Sequence, residues 1–284
     1  MADAPVHTLI QITDLHIGAG ADDDQPLDTH AVLGRALRAV EDVEPPPSAV
    51  LFTGDLTERG APEEYRRLRT LVDPAMARID ARAVYLAGNH DDRAALREYL
   101  LGRAPSAEPL DQVVWIGDLR VIALDSTVPG LSYGELGDAQ LDWLCAELAT
   151  PAPAGTVLAL HHPPLPSPAP LAAAIKLANP SALAAAIAGT DVRVVLAGHT
   201  HVVSAGALAG VPVWTGGAIA PTFDGLVTDG TLRGLASPCV SRVDLFADAL
   251  LVTGVPFDAA ELTRVPPERM HPKIAALRAQ LPAS

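Results

Sequence analysis

Residues 49–55 read Ala-Val-Leu-Phe-Thr-Gly-Asp, an apolar run that ends in a glycine and a carboxylate. The run has the length and composition of a buried β-strand, and Gly54 permits a sharp turn where that strand ends. Four other apolar runs in the chain also end in polar motifs. The five motifs are Asp14-Leu15-His16, Gly54-Asp55, Gly88-Asn89-His90-Asp91, His161-His162 and Gly198-His199-Thr200-His201.

Histidine is concentrated in these motifs, which hold six of the nine histidines in the chain. Imidazole nitrogens and carboxylate oxygens are ligands for transition metals such as Zn, Mn and Fe. Each motif alone could be a turn or a helix cap, and residues 89–91 could cap a helix that begins near Asp92. Their order and their shared position after strands instead indicate that several loops converge on a metal site.

The spacing within two motifs suggests how ligands could be paired. If residues 14–16 stay extended, Asp14 and His16 point to the same side, because strand residues i and i+2 share a face. They could then bind one ion together. The same spacing separates His199 from His201, and the same geometry is expected there.

Strands and helices alternate in the first ninety residues. Strands are predicted at 8–13, 49–53 and 83–87, helices at 30–44 and 62–79, and an acidic loop at 22–24. This alternation is typical of right-handed βαβ units and of a largely parallel sheet.

After residue 111 the pattern changes to hairpins and further strands. The predicted elements are a hairpin at 113–124, a helix at 138–148, strands at 156–160 and 192–197, several β-like runs within 204–257 and a helix at 267–280. No repeat or Gly/Ser-rich linker marks a boundary, so we expect one domain over residues 1–284. The β-rich segment and short helix at about 218–284 carry no motif that defines their role.

Composition excludes some classes of partner. The formal net charge of −14 and the pI near 4.9 disfavour binding to nucleic-acid polymers and anionic membranes. The apolar stretch 171–188 is interrupted by Lys176, Asn179 and Pro180, so we expect no transmembrane segment. The first residues lack the pattern of a signal peptide, and Cys145 and Cys239 are expected to be buried free thiols. We therefore expect a cytoplasmic protein.

The motif series D-x-H, GD, GNHD, HH and GHTH resembles that of the calcineurin-like metallophosphoesterase superfamily. Within it the chain resembles the class III cyclic-nucleotide phosphodiesterases, especially the mycobacterial type. The stretches GDLTERGAPEEYRRLR, AGNHDDRAALREYL and GTDVRVVLAGHTH extend the likeness, which covers about residues 8–217. The resemblance implies an α/β fold in the form of an αββα four-layer sandwich, with two mixed β-sheets flanked by helices.

The resemblance also implies a site with two adjacent metal ions, bridged by Asp55 and a hydroxide. Each ion would have three further ligands, which are Asp14, His16 and His201 for the first and Asn89, His161 and His199 for the second. Of the tandem histidines, His161 is preferred because its distance from His199 along the chain matches the family, and His162 would lie beside the ligands or face the substrate. Fe and Mn are the favoured metals, and Zn would also accept these ligands.

Two further residues are implied as catalytic. His90 would donate a proton to the leaving oxygen or stabilise charge, and Asp91 would orient it. Substrate contacts would come from Asn89, His90 and His201. The guanidinium group of Arg59 could reach a phosphate or lie in a solvated loop.

The implied activity is hydrolysis of a small phosphodiester such as cAMP. Other members of the superfamily are less similar. Protein phosphatases carry GNHE, whereas this chain has GNHD with Asp91. Purple acid phosphatases add a tyrosine ligand after the second motif, whereas this chain has Glu58 there. Two alternatives stay open at this point: a broader phosphodiesterase acting on glycerophosphodiesters or 2′,3′-cyclic nucleotides, and a metal-binding regulatory protein with vestigial activity.

Two features outside the motifs complete the expectations. The resemblance suggests a homodimer, for which a predicted helix at 92–102 offers an apolar face of Leu96, Tyr99 and Leu100. The stretch 151–170 holds seven prolines and could form a stiff lip beside the site or a plain surface loop.

Overall fold

Two large mixed sheets and a small two-stranded ribbon form the β-structure of the computed structural model, which describes residues 4–18, 27–227, 229, 231–257 and 260–280. The acidic loop predicted at 22–24 lies outside the described residues. The strands of the described residues are β1 (His7–Ile12), β2 (Ala49–Thr53), β3 (Arg82–Leu86), β4 (Gln112–Ile116), β5 (Leu119–Leu124), β6 (Thr156–Leu160), β7 (Val192–Ala197), β8 (Ser204–Leu208), β9 (Val211–Thr215), β10 (Thr222–Phe223), β11 (Gly234–Leu235), β12 (Cys239–Leu245) and β13 (Leu250–Pro256).

The helices lie mostly where the sequence predicts them. Those of the described residues are α1 (Thr29–Glu41), α2 (Pro62–Ile79), α3 (Arg93–Ala95) with a π-helical continuation (Leu96–Leu100), α4 (Asp138–Leu148), α5 (Pro170–Ala174), α6 (Pro180–Ile187) and α7 (Pro267–Arg278). Pro62 opens α2 because proline suits the first helical turn. The short helices α5 and α6 were not predicted. Within the described residues, none of the helices combines the length and hydrophobicity needed to cross a bilayer.

The first sheet has the order β13-β12-β1-β2-β3. Strands β1, β2 and β3 are parallel, with Ile10 opposite Val50 and Val50 opposite Ala83. Strand β12 then pairs antiparallel with β1, so residues from the end of the chain complete the sheet begun by the first strand.

The second sheet has the order β4-β5-β6-β7-β9-β8. Its central strands β5, β6, β7 and β9 are parallel, and an antiparallel hairpin closes each edge. The predicted hairpin at 113–124 is β4 and β5. Parallel strands buried on both faces read as continuous apolar runs, which explains why the strands before the motifs show no polar alternation.

Three apolar layers separate four layers of structure. Leu9 and Leu51 of the first sheet pack against Val157 and Leu196 of the second. Alternate residues of β1 and β2 face the other way, toward α1 and α2. The outer face of the second sheet packs against α4 and α6. The predicted αββα four-layer sandwich of two mixed sheets is therefore confirmed.

Two expectations about particular residues are wrong. A helical segment is present within the predicted range 92–102, as a short α-helical turn followed by a π-helix, but the expected apolar face is absent because Leu96 and Leu100 are buried in the chain's own core beside α2. They are not available as a face for a second copy. Cys239 is buried as expected, but Cys145 lies on an exposed face of α4.

Candidate metal centre

The five motifs occupy loops that leave the carboxyl ends of parallel strands. Strands β1, β2 and β3 of one sheet and β6 and β7 of the other deliver them to one edge of the sandwich. Hydrogen bonds join the loops across the two sheets, since the His199 N–H donates to Asp14 Oδ1 at 2.9 Å. The predicted convergence of the motif loops is confirmed.

The backbone of these loops is strained. Asp14, His16, Asp55, His199 and His201 all have positive φ values, between 45° and 71°. Residues other than glycine avoid this region, and those that occupy it are concentrated at functional sites. The segment 14–16 is therefore not extended. The side chains of Asp14 and His16 do meet, but through left-handed turns rather than through the strand geometry inferred from their spacing.

Two motif glycines are required by close approach. A Cβ atom at Gly54 would overlap the ring of His161, and Gly54 also has a φ of +94°. A Cβ atom at Gly88 would overlap the backbone and carboxylate of Asp55. These glycines allow neighbouring motif loops to lie against one another.

The described residues contain four overlapping groups of potential ligands, two of which share no residue. The first contains Asp14, His16 and His201, in which the two Nε2 atoms of the histidines are 3.2 Å apart. The second contains His161, His162 and His199, and within each group one ligand atom per residue lies within 4.8 Å of the others. His199 and His201 fall in different groups, which supports their assignment to different ions and not the shared ion inferred from their spacing.

Asp55 lies between the two groups. Its Oδ2 is 3.6 Å from Nε2 of His16 and 3.3 Å from Nε2 of His161. Its Oδ1 accepts a hydrogen bond from the backbone N–H of His90 at 3.0 Å. One carboxylate therefore adjoins both groups, which is the geometry that a bridging ligand requires.

Each of the four histidines expected as ligands is held at one ring nitrogen and presents the other to the site. The holding contacts are His16 Nδ1 to Glu58 Oε2 at 2.7 Å, His161 Nδ1 to Thr53 O at 2.9 Å, His199 Nε2 to Ile175 O at 3.0 Å and His201 Nδ1 to Pro221 O at 2.8 Å. A carbonyl oxygen can only accept, so the held nitrogen carries the proton. The other nitrogen faces the site and offers its lone pair when the ring is neutral, as in metal-binding histidine.

Several buried atoms around the site have no hydrogen-bond partner among the described residues. They are Asn89 Oδ1, His161 Nε2, His162 Nε2 and His199 Nδ1. A buried polar atom without a partner costs about 1–3 kcal/mol. All four are atoms that can coordinate a cation, so the donor set fits a two-ion centre that includes Asn89.

Asp55 and His161 shift each other's pKa. Burial by itself would raise the pKa of Asp55, but the neighbouring histidines, His161 foremost, hold it well below its usual range. Burial would lower the pKa of His161, but the ionised Asp55 raises it to about 9. By contrast, burial and the charge of His161 lower the pKa of His199 to about 4, which leaves that ring neutral.

His90 lies next to the first group, with its ring centroid 4.7 Å from that of His16. Its Nδ1 is 2.8 Å from the backbone oxygen of Glu58. Glu58 therefore holds His16 through its carboxylate and His90 through its carbonyl. Sequence reasoning missed this role, although a carboxylate three residues after Asp55 in the same loop was an available signal.

Asp91 has different partners from those predicted. Its carboxylate accepts hydrogen bonds from the backbone N–H groups of Leu56, Thr57 and Gly88 and from the hydroxyl of Tyr65. The His90 ring is held by Glu58 and not by Asp91, which corrects the expectation that Asp91 orients His90. Asp91 instead fastens the loop after β2 to the loop after β3.

The tandem histidines are held differently. His162 Nδ1 is 2.9 Å from the hydroxyl of Ser126, a contact that the sequence gave no reason to expect. Both rings belong to the second group, but His161 is the one that approaches Asp55. The preference for His161 as the ligand stays a prediction that this proximity supports.

A cavity of about 450 Å³ opens above the site. Its lining includes polar residues of both groups and apolar residues from outside the motifs. The lining residues are His16, Thr29, Asp55, Glu58, Asn89, His90, Ser132, Leu171, Ile175, His199, His201, Ala220, Pro221, Phe223 and Leu232. Arg59 and Asp91 line a second cavity, which shares Asn89 and His90 with the first. The volume of about 450 Å³ of the cavity above the site is typical of sites for small molecules.

The fold is shared with solved metalloenzymes. A dimetal phosphatase from Danio rerio superposes with a TM-score of 0.66 at 15% sequence identity, over 91% of this chain and 98% of that one. At this level of identity the likeness concerns the fold.

Sequence comparisons identify the family. Residues 7–203 match the model of the calcineurin-like phosphoesterases. A cAMP/cGMP dual specificity phosphodiesterase of Mycobacterium tuberculosis is 42% identical over 95% of this chain and 86% of its own. A 3′,5′-cyclic adenosine monophosphate phosphodiesterase of Pseudomonas aeruginosa is 32% identical over 68% of this chain and 69% of its own. This chain therefore belongs to the calcineurin-like phosphoesterase family and is a metal-dependent phosphoester hydrolase.

Proposed function

We propose that the protein hydrolyses 3′,5′-cyclic nucleotides such as cAMP to nucleoside monophosphates. The observation that carries this proposal is the position of Asp55 between two groups of ligands at the floor of a cavity of small-molecule size. The names of the relatives from M. tuberculosis and P. aeruginosa support the choice of substrate. An intact ligand set argues against a purely regulatory protein.

The proposed ligands would be divided between two ions. Asp14, His16 and His201 would hold one ion, Asn89, His161 and His199 the other, and Asp55 would contact both. When bound, such a pair of ions acidifies water and neutralises charge on a phosphate during in-line displacement. The chain contributes rigidity, because each histidine ring is fixed from behind by Glu58 or by a backbone carbonyl.

His90 is suited to proton transfer. Its Nδ1 must donate to the Glu58 carbonyl, so Nε2 is the atom that can exchange a proton with a substrate. When both ring nitrogens carry a proton, His90, which lines the cavity beside Asn89, would pass the proton on Nε2 to the leaving ribose oxygen. Asn89 and His201 would contact the phosphate, and Asp91 would position the loop that carries Asn89 and His90.

Several finer points belong to the same proposal. Fe and Mn are proposed as the metals, since the N/O donor set suits both. A cytoplasmic location and a homodimer stay predictions, the latter now without the helix face first suggested for it. Pairing of β12 with β1 supports treating the chain as one domain.

The proposal is tested with a panel of phosphoesters. Metal-reconstituted protein is assayed on cAMP, cGMP, 2′,3′-cAMP, glycerophosphodiesters and phosphomonoesters. The 3′,5′-cyclic nucleotides are expected to give the highest kcat/KM. Preference for a glycerophosphodiester would replace the proposal by the broader alternative. Two relatives that match shorter parts of this chain are named glycerophosphodiester phosphodiesterases.

A further inference from the structure

One side of the cavity is apolar and comes from outside the metal-ligand motifs. Leu171 and Ile175 lie at α5, and Pro221, Phe223 and Leu232 lie in or beside the β10–β11 ribbon. These five residues are called the apolar wall. Leu171 is 54% exposed and Leu232 is 51% exposed. Two large apolar side chains from separate segments are thus half-exposed at the mouth of one cavity.

The apolar wall is attached to both groups of ligands. The carbonyl of Ile175 holds His199 at 3.0 Å, and the carbonyl of Pro221 holds His201 at 2.8 Å. The Phe223 ring stacks on His201 with a centroid distance of 5.0 Å and an angle of 13° between the planes. The wall therefore lies within the same cavity as the two groups and next to His199 and His201.

We propose that the apolar wall binds the heterocyclic base of the nucleotide. This inference rests on the proposed function and concerns the base, whereas the metal site would contact the phosphate. A base has two apolar faces that can cover leucine and stack near phenylalanine, and such contacts tolerate differences between bases. A glycerol substituent would leave Leu171 and Leu232 in water.

The charge distribution agrees with a neutral ligand group. None of the five wall residues is charged, and the nearby Asp224 and Arg233 neutralise each other in an ion pair of 2.9 Å. The charged groups of the cavity lie instead on the side of the metal ligands. The cavity therefore separates recognition of the phosphate from recognition of the base.

The test compares two phosphomonoesters that differ only in the base. Inhibition constants of AMP and ribose 5-phosphate are measured on metal-reconstituted wild-type protein and on the double variant Leu171→Ser/Leu232→Ser. AMP is expected to bind about tenfold more tightly than ribose 5-phosphate to the wild type, equivalent to about 1.4 kcal/mol. In the double variant this ratio should fall close to one, through weaker AMP binding alone.

The matched control is Leu226→Ser, since Leu226 is 91% exposed in the turn that follows β10 and does not line the cavity. It should keep the wild-type ratio. Equal binding of AMP and ribose 5-phosphate to the wild type would overturn the inference, as would an unchanged ratio in the double variant. Turnover of cAMP in the same samples keeps the two proposals apart, because its absence from the wild type would contradict the proposed function itself.

Discussion

The two sides of the cavity are built in opposite ways. On the metal-ligand side, the proposed ligands are buried except for the partly buried Asn89, and five of them have strained backbone conformations in loops at the ends of parallel strands. The apolar wall consists of half-exposed side chains on a five-residue helix and a two-stranded ribbon. Chemistry at a phosphate needs ligands held to within a fraction of an ångström, whereas a base can be bound by surfaces that tolerate variation.

The first prediction removes the centre of the metal-ligand side. Asp55→Ala should lose both ions and lower activity on every phosphodiester by more than about 10³-fold, beyond the usual cost of one electrostatic contact. Elemental analysis after dialysis measures the metal content. Asp73→Ala is a matched control, because Asp73 is an exposed carboxylate paired with Arg69 on α2. Retention of two ions by Asp55→Ala would contradict the bridging role.

The second prediction separates proton transfer from metal binding. His90→Ala should lower kcat for cAMP by about 10²–10⁴-fold, because the ribose oxygen is a poor leaving group. Hydrolysis of bis(p-nitrophenyl) phosphate should suffer much less, since p-nitrophenolate leaves without protonation. Metal content is checked first, as His90 adjoins Asn89. Equal losses on both substrates would mean that His90 acts by position or charge.

The third prediction concerns the support behind His16. Glu58→Ala should weaken binding of one ion by about 10–100-fold, the usual effect of removing a carboxylate that holds a metal-binding histidine. Glu58→Gln should weaken it less, because the amide oxygen can still accept from His16 Nδ1. Manganese titration followed by calorimetry compares the two variants. Wild-type affinity in Glu58→Ala would show that His16 needs no such support.

The smallest effect is expected at the approach to the apolar wall. Pro166 and Pro168 lie between the His161-His162 motif and α5, which carries Leu171. Replacing both by glycine should raise KM for cAMP by at most about fivefold per site through added backbone freedom, with metal content unchanged. Pro151→Gly/Pro153→Gly, placed before β6 and so at the opposite end of that strand, is the control. A change in metal content instead of KM would mean that the segment with Pro166 and Pro168 helps to hold the metal ligands in place.

The metal-ligand side could be predicted from the sequence because its parts are local. An apolar run followed by Gly54-Asp55 or Gly198-His199 can be read without knowing the rest of the fold. The grouping could not be read from spacing, since the chain turns through left-handed conformations at Asp14, His16, His199 and His201. Only the family resemblance assigned His199 and His201 to different ions.

The apolar wall could not be predicted for a physical reason. Leu171 and Leu232 are far apart in the chain, and nothing around either one marks it as part of a site. They come together only in the folded chain, where both line the same cavity. The partners of His162 and His90, which are Ser126 and the carbonyl of Glu58, were missed for the same reason.

The central claim is that two ions and their shared carboxylate perform the reaction. Its most direct test is to titrate metal-free protein with Mn²⁺ while measuring bound ions per chain and the rate of cAMP hydrolysis on the same samples. The account predicts that the rate rises mainly as the second ion binds and reaches its plateau at two ions per chain. A full rate with one ion per chain, or with none in the presence of a chelator, would contradict it.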